Sequence, residues 1–276
     1  MSIRRAAVAG SWYPGTAAAI RDEVEGYLGA AVPVPVPGRL VALVSPHAGL
    51  RYSGPVAAFG YGLLRDRPPP TVVIVGPSHR AAFDGVAAWA EGAFETPLGR
   101  MAIDEGLAAA LLAAGPPIAD DPRVHRDEHS LEMQLPFLQL LAPRARLVPL
   151  LMGSQSRDEV DALAAALARE LPGRDALLVA SSDLSHYQPA PVANRLDEVV
   201  VDLVARFDAE GLMDTLERRH DHACGGGPIV AVMKAARALG ADRATVLRYA
   251  DSGDVGERDK SRVVGYLSAA LSATAG

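Results

Sequence analysis

The stretch that decides the fold is Val72-Val73-Ile74-Val75-Gly76-Pro77-Ser78-His79. A short run of β-branched apolar residues, closed by a glycine-proline turn, is the pattern of a strand buried on both faces. Two other segments repeat it: Leu43-Val44-Ser45-Pro46-His47, and Leu177-Leu178-Val179-Ala180-Ser181-Ser182-Asp183-Leu184-Ser185-His186. Each apolar run is followed within a few residues by a histidine. In open α/β sheets ligands bind just beyond the carboxyl ends of such strands. The histidines therefore fall where a site would be built.

Working outward, helical patterns alternate with strand-like ones. Helices are predicted over Gly15–Ala30, Gly54–Leu64, Asp104–Ala114, Ser130–Leu141, Arg157–Leu171, Asn194–Phe207 and Pro228–Leu239. Strands are predicted over Leu40–Val44, Thr71–Val75, Gly85–Trp89, Arg146–Leu151, Ala176–Ala180, Thr245–Tyr249 and Arg262–Leu267. Val32-Pro33-Val34-Pro35-Val36-Pro37-Gly38 reads as an extended connector. Ser130 is a candidate N-cap, and Pro136 should kink or shorten the helix it sits in. Pro149 weakens the strand pattern around it. The alternation predicts an α/β fold, a mostly parallel central sheet flanked by helices. No repeat or linker divides the chain, so one domain spanning residues 1–276 is expected.

The 276 residues carry 27 Lys plus Arg against 33 Asp plus Glu, a formal charge of −6, with no basic block. Nothing supplies the phosphate-neutralising patch that nucleic acid needs. The single cysteine, Cys224, allows no intrachain disulfide and suits a reducing cytosol. No signal peptide or membrane-spanning helix is read, so a cytoplasmic location is expected.

Seven histidines are present. Those at the strand ends, His47, His79 and His186, gain weight from their position. The turns around His47 and His79 carry proline or glycine and would hold a site rigidly. Cys224 precedes three glycines and the start of a predicted helix. A thiol there should have a lowered pKa, as a metal-binding thiolate or nucleophile; a small buried cysteine or an anion-binding turn are the alternatives. Asp127-Glu128-His129-Ser130-Leu131-Glu132 could hold a proton donor or a carboxylate supporting a metal-bound histidine, or simply complement a helix dipole. Asp183 and His186 could form an acid–base pair, or Asp183 could cap a helix. Gly-x-Ser-x-Gly, Cys-x-x-Cys and His-Glu-x-x-His motifs are absent.

Taken together, six segments resemble the Memo family, whose bacterial members often carry the name AmmeMemoRadiSam system protein B. They are Ala9–Pro14, Ser45–Gly49, Gly76–His79, Asp127–Met133, Ser181–Tyr187 and Cys224–Ile229, in that order along nearly the whole chain. The resemblance implies a fold related to the class III extradiol dioxygenases, enzymes of non-haem iron(II). It implies metal ligation by His47, His79 and Cys224. It also places Asp183, His186 and His129 in the same cleft as catalytic candidates, with His186 as the acid–base histidine. The expected cofactor is iron(II), with copper or zinc as alternatives, because a thiolate replaces the usual carboxylate. The implied function is a metal-dependent oxidoreductase acting on an unknown small molecule. The alternatives are a ligand- or peptide-binding protein and a metal-chelating redox protein. The bacterial name implies a functional link to a radical-SAM protein.

Overall fold

The computed structural model describes residues 2–256 and 258–274. Its strands are β1 (Ile3–Arg4), β2 (Arg39–Ser45), β3 (Thr71–Pro77), β4 (Val86–Ala88), β5 (Ala93–Thr96), β6 (Gly99–Ala102), β7 (Ile118–Asp120), β8 (Arg146–Met152), β9 (Ala176–Ser181), β10 (Asp183–Gln188), β11 (Arg243–Asp251) and β12 (Val263–Ala273). Its helices are α1 (Ala17–Ala30), α2 (Leu50–Tyr61), α3 (Glu105–Ala113), α4 (Pro122–His125), α5 (Leu135–Leu141), α6 (Arg157–Glu170), α7 (Ala190–Ala205), α8 (Ala209–Arg218), α9 (Gly226–Ala238) and α10 (Ser252–Val255).

A nine-stranded mixed sheet runs in the order β10-β12-β2-β9-β3-β8-β4-β7, with β11 also paired to β12. The predicted parallel set, β2-β9-β3-β8, forms its centre. Antiparallel pairs on β12 and between β4 and β8 extend it on either side. Val72, Val73, Ile74 and Val75 have no exposed surface, as a strand covered on both faces requires. Their side chains alternate between two apolar clusters: Val73 and Val75 pack with α6 and α9 residues, Val72 and Ile74 with α1, α2 and α5 residues. Each such side chain stabilises the fold by about 1.5–3 kcal/mol relative to exposure.

The helices follow from local chemistry. Thr16 caps α1, and Ile20, Val24 and Leu28, four apart, form its buried stripe. Ser156 and Glu159 make a capping box on α6. Val32–Gly38 has no regular structure, and Val34 and Val36 lie against the core. Among the described residues no helix is long and apolar enough to cross a membrane.

Several boundaries differ from the sequence pattern. The helix expected from Ser130 begins at Leu135, after a 3-10 turn over Glu132–Gln134. Pro136 sits in the first turn of α5, where its missing N–H costs nothing. Ser130 caps no helix; its hydroxyl donates to the Pro77 carbonyl. Pro149 is accommodated inside β8 because the pairing with β4 stops at Leu150. Asp183 begins a strand and caps no helix. A small second sheet of β1, β5 and β6 lay outside the sequence pattern. In it β5 and β6 form a four-residue antiparallel ladder.

Candidate metal centre

The strand order places three carboxyl-terminal ends side by side. β2 and β3 flank β9, so the turns bearing His47 and His79 stand on either side of the Ser181–Asp183 segment. Cys224 arrives from the loop before α9, where its N–H donates to the Asp183 carbonyl at 3.2 Å. Next to it, Gly225 leaves no space for a side chain. A Cβ there would lie 2.5 Å from the Ser181 carbonyl oxygen. The first of the three glycines is thus a close-approach residue that lets the sulfur reach the sheet.

His47, His79 and Cys224 come together with their donor atoms within 4.8 Å of one another. The Cys224 Sγ to His47 Nε2 distance is 3.3 Å. Tetrahedral coordination at the usual metal–nitrogen and metal–sulfur lengths implies about 3.5 Å between such donors. The set therefore has the donor types and the spacing that could hold one transition-metal ion.

The surrounding hydrogen bonds leave the correct imidazole nitrogens free. The Ser181 hydroxyl donates to the Ser130 carbonyl at 2.6 Å and accepts from the Gln134 amide at 2.8 Å. His47 Nδ1 lies 2.9 Å from the same oxygen. Since the serine proton is already committed, His47 must donate, so its hydrogen is on Nδ1 and its lone pair is on Nε2. Gln134 is oriented in turn by Tyr61, whose hydroxyl donates to Oε1, and by the Pro46 carbonyl, which accepts from Nε2. Burial holds His47 well below the usual imidazole pKa, so it stays neutral and able to donate a lone pair.

His79 is fixed by Glu128. Its Nδ1 is 2.9 Å from Glu128 Oε1, and its backbone N–H also binds that carboxylate. The N–H groups of His129 and Ser130 donate to Oε1 at 2.8 and 2.9 Å. Burial alone would raise the Glu128 carboxyl. The hydrogen bond and charge of His79, with the backbone donors, outweigh it and hold the carboxyl well below the usual range. A carboxylate behind a histidine orients the ring and would raise its basicity towards a metal. Glu128 is the member of the acidic cluster placed behind His79. His79, Glu128 and His129 are themselves close enough to form a second donor group, but Glu128 is already saturated by four N–H donors.

Cys224 departs from expectation. Burial first, and the adjacent Asp183 carboxyl second, push its thiol up rather than down. Desolvation outweighs the start of α9. The thiol has two acceptors within reach, the His47 Nε2 lone pair at 3.3 Å and the Asp183 carbonyl oxygen at 3.6 Å. A bound cation would reverse this balance, because coordination deprotonates a thiol outright.

The remaining candidates line the same cavity of about 710 Å³. His129 lies between His79 and Trp12, ring centroids 4.5 and 4.2 Å away. Burial lowers its pKa to about 4. The Asp183 carboxylate accepts the N–H groups of His47 and Ala48 at 2.7 and 3.2 Å, and burial pushes its pKa up. His186 Nδ1 donates to the Leu184 carbonyl at 2.8 Å, which leaves Nε2 as its acceptor. His125 and His222 serve the framework, bound to the carbonyls of Ala87 and Leu196.

Sequence reasoning missed Trp12, Gln134, Ser181 and the anchor beneath them. Glu132 accepts from Arg4, from the N–H groups of Ala7 and Val8, and from the Tyr13 hydroxyl. This buried pair fastens the N-terminal segment and sets Trp12 over His129. Glu132, at the end of the same acidic cluster as Glu128, gives no signal of that anchoring role in the sequence.

Comparison with known proteins places the chain in a family. The family model described as Memo-like protein matches residues 4–270. A MEMO1 family protein of Methanothermobacter thermautotrophicus is 40% identical over 275 residues, covering 96% of this chain and 98% of the relative. One from Methanopyrus kandleri is 38% identical over 281 residues, covering 96% and 97%. The chain belongs to the Memo-like family. The crystal structure of an uncharacterized protein from Escherichia coli K12 shares the fold, with a TM-score of 0.57 at 16% identity over 83% of this chain and 99% of that one.

Proposed function

We propose that the protein is a metal-dependent oxidoreductase, with one ion held by His47 Nε2, His79 Nε2 and Cys224 Sγ, acting on a small molecule in the adjoining cavity. The observation that carries this reading is the commitment of both Nδ1 atoms, one to Ser181 and one to Glu128, which directs two imidazole lone pairs and a sulfur to one point. Iron(II) is the proposed ion, and copper or zinc also suit two nitrogens and a sulfur. When bound, iron or copper would supply redox chemistry, and zinc only Lewis-acid chemistry.

The chain's own groups supply the rest. His186, with Nδ1 tied to a carbonyl, has Nε2 available to take a proton from a substrate hydroxyl and return it. Asp183 is committed to the backbone of the His47 turn and acts by orienting that turn. His129, neutral above pH 4, offers an uncharged imidazole beside the metal site and is held by Trp12. Trp12, Tyr52 and Tyr266 wall the cavity and limit water.

The test is metal analysis of anaerobically purified protein, followed by oxygen uptake with catechol-like substrates. The expected result is stoichiometric iron or copper, lost in His47→Ala and Cys224→Ala. Metal-free protein with all three side chains intact, under metal-replete expression, would overturn the reading. Tight metal with no turnover on any small molecule would favour a chelating role instead.

A further inference from the structure

The mouth of the cavity is built around a distorted strand. Between Asp183 and Gln188, β10 carries extra residues relative to β12: Asp183 pairs with Tyr266, His186 with Val264, and Gln188 with Val263. These bulges break the alternation of a strand, so the consecutive residues His186 and Tyr187 both line the cavity. Tyr187 does so at φ 60°, in the left-handed region that a bulky residue rarely adopts. The residue remains 63% exposed, so little burial offsets that backbone cost. Strained residues of this kind collect at ligand-binding positions.

Arg262, from the loop before β12, stands over this ring with its guanidinium carbon 5.4 Å from the centroid. It too lines the cavity. Among the described residues it makes no hydrogen bond and no ion pair, so no protein acceptor there engages its planar set of N–H donors. A cation–π contact of this length leaves the edge of the guanidinium available, and that edge matches a carboxylate through paired hydrogen bonds. The cavity also receives Arg51 and the carboxylates of Asp183 and Asp259. Asp183 is turned to the His47 backbone and Asp259 to the Ser261 N–H.

We propose that Arg262, set against the Tyr187 ring, is the specificity-determining residue of the cavity, and that the cavity takes a small planar molecule bearing a carboxylate. The carboxylate meets Arg262 at the mouth, and the planar body lies among Tyr187, Tyr52 and Trp12, directed toward the His47–His79–Cys224 end. The inference rests on the reading of this cavity as the substrate site, but it does not need the metal.

Trp12 supplies a readout that is independent of turnover, because it lines the cavity. Benzoate and benzamide, of nearly equal size but one anionic and the other neutral, are titrated into the full chain after treatment with a chelator. Binding is followed by tryptophan fluorescence, with Trp12→Phe as the control, and by calorimetry. Benzoate is expected to bind on the order of tenfold more tightly than benzamide, the worth of a charge-assisted contact. Arg262→Gln should abolish that preference while leaving benzamide binding unchanged. Tyr187→Leu should weaken both. Both side chains are largely solvent-facing, so the variants should fold, which circular dichroism checks. Equal binding of the two probes, no binding of either, or a preference that survives Arg262→Gln would overturn the proposal. A preference for benzoate in a protein that never holds metal would leave this inference standing and remove the oxidoreductase reading alone.

Discussion

Glu128→Gln removes one charge from the group that orients His79. The carboxylate takes four N–H donors: His79 Nδ1, His129 N and Ser130 N on Oε1, and His79 N on Oε2. A glutamine oxygen can replace Oε1 and keep the first three bonds as neutral ones. Its NH2 must then occupy the Oε2 position and face the His79 N–H, donor against donor. Weakening three charged bonds costs about 1 kcal/mol each, and the unsatisfied pair about 1–3 kcal/mol, so a loss of roughly 3–5 kcal/mol is expected after partial relaxation. The assay is urea unfolding of metal-free protein at pH 7.5, where the midpoint should fall by roughly 1 M or more.

The pH course carries a second signature. The folded protein holds Glu128 ionised below the usual carboxylate range, whereas the unfolded chain takes up the proton near pH ~4.3. The full stabilisation is present above that pH. On acidification the unfolded state binds the proton first, and the advantage over Glu128→Gln shrinks as pH falls towards the folded pKa. A variant within about 1 kcal/mol of the parent at pH 7.5, or a difference that does not change in acid, would refute the role given to Glu128.

Three further outcomes follow from the same network. Ser181→Ala removes the acceptor that holds the proton on His47 Nδ1. Nitrogen-15 NMR should show a shift toward the Nε2–H tautomer, and metal affinity should fall on the order of 10–100-fold. Gly225→Ala places a Cβ 2.5 Å from the Ser181 carbonyl and 2.8 Å from the Ser182 Cβ, so it should displace Cys224 and weaken metal binding more than it lowers the melting temperature. His125 and His129 are both lowered to about 4 by burial, and His47 is lowered as well. The unfolded chain therefore binds these protons first, and metal-free protein should lose stability as pH falls from about 6.5 to 4. A flat stability profile across that window would contradict their burial as neutral rings.

The parallel centre was legible because nothing in Val72–Val75 or Leu177–Ala180 is polar, and a short β-branched or aliphatic run closed by turn residues fits a strand covered on both faces. The histidines after those strands were legible by position. The short β5–β6 ladder and β10 were not. The first has too few residues to show a period, and the bulges in β10 erase the alternation that would mark it. Trp12 was unreadable as a site residue because its contact with His129 joins segments more than a hundred residues apart and depends on the Arg4–Glu132 pair. The Cys224 thiol was misjudged because the helix-end effect is local and modest, while desolvation depends on tertiary packing that the sequence does not display. The orienting role of Glu128 was anticipated as chemistry, a carboxylate behind a histidine, but not as a particular residue.

The central claim is that His47, His79 and Cys224 share one metal ion. The most direct measurement is anomalous diffraction from crystals of anaerobically prepared protein, collected at the absorption edge of the metal that it carries. The account predicts a single strong peak about 2.0–2.3 Å from His47 Nε2, His79 Nε2 and Cys224 Sγ together, with the fourth position open to the cavity. A peak on His79, Glu128 and His129 instead, or none in protein whose three side chains are intact and reduced, would contradict it.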